Sequence, residues 1–141
     1  RLKRRGAPYE PDIALALYPA GAPEAALPEH IVLLDAKYTS RSHDEVLQSL
    51  LRYRNIGELR TGRRLVRQIW ALTNAFPPQH GEGEAPALET DITVDNEAFF
   101  DAGFSAQGEV CGVVGMRPGK EGAQGPLELL LARVFAIFGV V

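Results

Sequence analysis

The chain has 141 residues, 45% of them hydrophobic and 23% charged, with a formal net charge of −3. That length and balance fit one domain with a single core and argue against disorder of the whole chain. A single cysteine, Cys111, excludes an internal disulfide framework and suits a reducing, cytoplasmic setting.

The chain opens on Arg1 rather than a methionine and reads as a piece of a longer protein. Its charge is uneven. Residues 1–67 hold 12 Lys/Arg and 8 Asp/Glu, whereas residues 68–141 hold 3 and 10. Positive charge gathers at Arg52, Arg54, Arg60, Arg63, Arg64 and Arg67, as a phosphate-binding face would require; a solvated helix face is the plainer reading of the same residues.

Tyr9–Tyr18, YEPDIALALY, alternates Ile13, Leu15 and Leu17 with smaller residues, which predicts a strand beginning after Pro11. Pro19–Pro28 is loop chemistry. His30–Tyr38, HIVLLDAKY, predicts a strand buried on both faces with a polar tip, paired with the first as a hairpin. Ser42–Gly57 predicts a helix: Ser42 and Glu45 form a capping box, Val46, Leu47, Leu50 and Leu51 make an apolar stripe, and Gly57 is placed as the C-terminal cap.

Leu65–Phe76 predicts another central strand carrying a core Trp70. Residues 77–95, rich in Pro, Gly and Glu, predict an exposed loop. Gly108–Met116 predicts a strand in which Cys111 is a buried structural thiol. Pro126–Phe138 predicts a last helix with Pro126 in its first turn. The stretch Leu127–Val141 is interrupted by Glu128 and Arg133 and is too short for a membrane span, so it is expected to be buried or to face a partner. The order is α/β with a mixed central sheet flanked by helices.

Chemistry concentrates at the first two strands. Asp12 begins one and Asp35 ends the next, and Lys37 follows Asp35 at a spacing that puts both side chains on one face. Two carboxylates suit a hard cation such as Mg²⁺, which takes oxygen ligands and keeps several waters; water on such an ion loses its proton more readily and can attack phosphorus. Lys37 can orient or deprotonate the attacking water, or stabilise charge in the transition state, and the backbone carbonyl of Ala36 is a further candidate ligand. Against this, Asp-x-Lys is a common tripeptide, and its setting between a Pro-Asp strand start and a capped helix is what raises it above chance. No aromatic–basic interleaving of a single-strand-binding surface is visible.

The segment YEPDIALAL…HIVLLDAKY followed by LQSLLRYRN resembles the PD-(D/E)XK nuclease superfamily, most of all the branch with McrC-type subunits of modification-dependent restriction systems and related defence nucleases. GEVCGVVGMRPG and the closing helix are loosely similar to the tail of that branch. The resemblance is sharp over roughly residues 9–55 and fades beyond about 75. It implies a restriction-endonuclease-like core, Mg²⁺ dependence (with Mn²⁺ able to substitute) and DNA phosphodiester hydrolysis. On that resemblance Asp12, Asp35 and Lys37 are the catalytic triad, and Gln48 matches a glutamine that positions water or the DNA backbone. Tyr53 and Arg54 match a Tyr-Arg pair near phosphate; Arg52 shares a helix face with Gln48 and joins them as a substrate contact. Many members carry an acidic residue on a helix before the first strand; here Glu10, two residues before Asp12, is the nearest stand-in.

The expectation is therefore an endonuclease module of a prokaryotic restriction or anti-phage system. Target choice would lie in other domains or subunits, and a homodimer would supply the second active site that double-strand cleavage needs. The competing expectation is a non-catalytic module that keeps the nuclease fold for DNA binding or complex assembly.

Overall fold

The computed structural model describes residues 2–4, 7–8, 11–51, 57–58, 65–74, 92–116 and 125–139; for 2–4, 7–8 and 57–58 the description is of the backbone alone. In chain order the elements are β1 (Leu2–Arg4), β2 (Ala7–Pro8), β3 (Ile13–Leu17), β4 (His30–Lys37), α1 (His43–Leu51), β5 (Gly57–Glu58), β6 (Val66–Thr73), β7 (Ile92–Val94), β8 (Val110–Gly115) and α2 (Pro126–Ile137). The main sheet has five strands in the order β3-β4-β6-β8-β7; β1, β2 and β5 form a separate three-stranded ribbon. The fold is α/β with a mixed sheet, as the sequence predicts.

β3 and β4 pair antiparallel, with Ile13 opposite Leu34 and Leu17 opposite His30. β4 and β6 then pair parallel, with α1 in the crossover between them, and β6 pairs parallel with β8. Parallel neighbours need such a crossover because a short turn cannot reverse the chain twice. β7 closes the far edge, antiparallel to β8.

β4 is buried along His30–Asp35, since the sheet has a core on each side. Ile31 and Leu33 pack with Val46, Leu47 and Leu50 of α1 and with Leu65, Val66, Ile69, Ala71, Cys111 and Val113. Val32 and Leu34 face the other way, onto Trp70, Phe99, Val110, Val114, Leu130 and Val134. On this α2 side Trp70 lies beside Gly112 of β8, and a Cβ at Gly112 would collide with the indole ring. Gly112 thus leaves the room that Trp70 fills, a close-packed fit of the kind that makes interiors intolerant of added atoms. Phe99 packs at a tilt against Trp70 with ring centroids 5.0 Å apart, and Arg133 of α2 donates to the Phe99 and Asp101 carbonyls that end the 3-10 turn Glu97–Phe100.

α1 starts as the sequence predicts. The Ser42 hydroxyl accepts from the Glu45 backbone N–H at 3.3 Å, and the Glu45 carboxylate reaches back to that hydroxyl. Its end differs. Gly57 is no helix cap: it sits in β5, paired with Lys3 of β1. The cap was read from a lone glycine after an apolar stripe, and a short strand pairing supplied by the distant N-terminal residues overrides that signal. The predicted loop over 77–95 also contains β7, whose Ile92 and Val94 are held in place by β8 rather than by any run of their own. Cys111 and Trp70 are buried as expected. α2 turns Leu130 and Val134 inward and leaves Phe135 partly exposed. No helix among the described residues is long and apolar enough to cross a membrane.

Candidate functional site

The β3–β4 register decides where the two aspartates meet. Ile13 lies opposite Leu34, so one step toward the open end of the hairpin sets Asp12 against Asp35. The contacts there are reciprocal. The Asp12 backbone N–H donates to Asp35 Oδ1 at 3.1 Å, and the Ala36 N–H donates to Asp12 Oδ2 at 2.8 Å. A carboxylate cannot stray further than one side chain from its own backbone, so this pair of bonds holds both acids at one place.

Lys37 follows at the same edge. Its Nζ stands 3.3 Å from Asp35 Oδ2, as the period-2 geometry of a strand requires for residues two apart. Asp35 is buried and Asp12 exposed, so the site opens to solvent on the Asp12 side. Within this group two negative charges face one positive charge.

The segment after β4 is fixed to its neighbour. The Thr39 N–H donates to Asn74 Oδ1 at 3.0 Å, and the Arg41 N–H donates to Thr39 Oγ1 at 3.1 Å. Asn74 follows Thr73, which pairs with Lys37 across the parallel β4–β6 ladder. Asn74 was not foreseen as a site neighbour because it reads as the interior of the strand Leu65–Phe76. The polar Thr73-Asn74 pair ending that apolar run is the signal that could have marked it.

Asp12 and Asp35 offer carboxylate oxygens, and one accepted hydrogen bond on Asp12 Oδ2 leaves a second lone pair on that atom. Among the described residues no three His, Cys, Asp or Glu side chains cluster as a metal cage. An ion here would therefore rest on two carboxylates, the Ala36 carbonyl and water, a sparse protein shell of the kind Mg²⁺ accepts.

The remaining predicted residues are not gathered in. Gln48 is exposed on α1 and makes no hydrogen bond to Asp12, Asp35 or Lys37 among the described residues. Arg52, Tyr53, Arg54 and Glu10 lie outside the described residues, as do Arg60, Arg63 and Arg64 of the basic cluster. Arg67, the last of that cluster, is half-buried and paired with Glu109 at 3.3 Å. Its charge is engaged across strands instead of lining an open phosphate face.

The chain matches no family model, no curated protein and no solved structure.

Proposed function

We propose that this chain is the catalytic core of a Mg²⁺-dependent deoxyribonuclease of the PD-(D/E)XK type, acting as the cleavage module of a prokaryotic restriction or defence system. The observation that carries the reading is the reciprocal Asp12–Asp35–Ala36 contact, joined by Lys37, between residues 23 and 24 apart in sequence. The hairpin-plus-crossover arrangement of β3, β4, α1 and β6 supports a restriction-endonuclease-like core in the same sense.

Each group then has a task. Asp12 and Asp35 would hold the cation, and the N–H groups of Ala36 and Asp12 fix the angle of the two carboxylates. Bound Mg²⁺ (or Mn²⁺ in its place) supplies a hard positive charge that draws in phosphate oxygens and acidifies water. Lys37, held beside Asp35, sets its ammonium where negative charge builds on the phosphate, and aligns the attacking water by hydrogen bonding. Gln48, Arg52, Tyr53 and Arg54 are assigned to water and phosphate contacts on the α1 side through the resemblance. Partners on this reading are DNA and the domains or subunits that choose the target, with a second copy needed for a double-strand cut.

Cleavage of plasmid and of labelled oligonucleotides with Mg²⁺ or Mn²⁺, against an EDTA control, tests this. Asp35→Ala and Lys37→Ala should each lower the rate at least about a hundredfold while circular dichroism and melting stay close to wild type. Calorimetry with Mn²⁺ gives a readout independent of substrate, and binding should vanish in Asp35→Ala. Cleavage undiminished in both variants would sink the mechanism.

A further inference from the structure

Tyr38 is 96% exposed, against 53% for Tyr18, 49% for Ile13 and 39% for Phe135, the other exposed large apolar side chains among the described residues. Single exposed apolar residues are ordinary on protein surfaces, and most keep part of the side chain on their neighbours. Tyr38 keeps almost nothing. Its ring stands in water one residue beyond Lys37.

Its backbone, by contrast, is anchored on both sides. Lys37 is the last residue of β4, paired with Thr73. Thr39 is tied to Asn74, and Arg41 is tied to Thr39. An aromatic side chain with two rotatable bonds, carried on a fixed backbone, loses little freedom when something covers it. The flanking charges indicate what that would be. Lys37 is partly exposed and Arg41 exposed, so a cation stands on each side of the ring in sequence. The chain has no longer aromatic–basic run; one exposed ring with a cation before and after it in sequence is the smallest unit that matches a nucleobase between phosphates.

We propose that Tyr38, one residue beyond the end of β4, is a stacking platform for an unpaired base, so that the substrate is single-stranded or locally opened DNA. This rests on the nuclease reading above for its location but not for its measurement. Inside a duplex both faces of every base are covered, and a protein ring can stack only where the helix is open, frayed or flipped. Stacking carries no sequence preference, because every base has an aromatic face. Tyr38 is a binding residue on this proposal and takes no part in the chemical step.

The test is fluorescence anisotropy of a 5′-labelled oligothymidylate in EDTA, which needs no cleavage. Tyr38→Ala should weaken binding about tenfold, and Tyr38→Phe should stay within about twofold of wild type, since the ring and not the hydroxyl does the stacking. A blunt duplex of equal length should bind both variants as it binds wild type. With Mg²⁺, Tyr38→Ala should lower the single-strand to duplex cleavage ratio by a similar factor. Equal single-strand binding by wild type and Tyr38→Ala overturns the proposal, as does a Tyr38→Phe loss equal to that of Tyr38→Ala, or no binding by the wild type. A wild type that binds through Tyr38 yet cuts nothing leaves the stacking role standing and refutes the nuclease reading instead.

Discussion

On the α1 side of the sheet the β4 row runs Ile31, Leu33, Asp35, Lys37; on the α2 side it runs Val32, Leu34, Ala36. The first row packs against a core cluster without aromatic rings and ends in charge. The second packs against aromatic rings in tilted and edge-on contact, Trp70 and Phe99 among them, and ends in a methyl group. One strand thus feeds two environments through the alternation of its side chains. The difference teaches that bulk and charge are divided between the faces: the α2 side holds the aromatic bulk that anchors the sheet, and the α1 side ends in Asp35 and Lys37, the groups the proposed reaction uses.

The contrast can be broken from the α2 side first. Trp70→Ala removes the largest fully buried side chain and leaves the Gln68 carbonyl without its indole donor. It should cost about 4 kcal/mol in denaturant melts, with the cleavage rate unchanged wherever the variant is still folded. A loss of activity ahead of unfolding would show that the faces are not independent. The reverse experiment is Lys37→Ala on the α1 side. Its hundredfold loss of cleavage should come with less than about 1 kcal/mol of destabilisation, since the lysine is partly exposed. Gly112→Ala drives a methyl group into the Trp70 ring and should cost about 2 kcal/mol in the same melts. Smallest is Ser42→Ala, which removes the cap of α1 and should cost about 1 kcal/mol; it sharpens the contrast by loosening only the helix that covers the reactive side.

The part of this division that lies along β4 could be read in the sequence. Four apolar residues followed by Asp-x-Lys fix both the burial and the shared face of Asp35 and Lys37. α1 and α2 were legible through Ser42, Glu45 and Pro126, whose capping roles act over a few residues. What could not be read depends on pairing at a distance. Ile92 and Val94 sit in a polar stretch and become a strand only because β8 offers an open edge. Gly57 reads as a cap until Lys3 pairs with it. The meeting of Asp12 with Asp35 lay between these cases. The residue types announced a common site, but a loop of unstated shape separated them, and the two backbone-to-carboxylate bonds emerge only from the folded register. Gln48 was placed by resemblance, and its exposed position on α1 follows from a helix stripe that spends Val46, Leu47 and Leu50 on the core.

The β3–β4 hairpin has a practical consequence. Its reciprocal Asp12–Asp35–Ala36 bonds close the open end, while the connection Tyr18–Glu29 turns at the other end, where the Glu29 N–H returns to the Leu17 carbonyl. Five strand residues, about 17 Å of extended chain, lie between the two. The connection is therefore insulated from the chemistry, and a fluorophore, an epitope or a whole guest domain spliced there would ride on the protein without disturbing the acids at the far end.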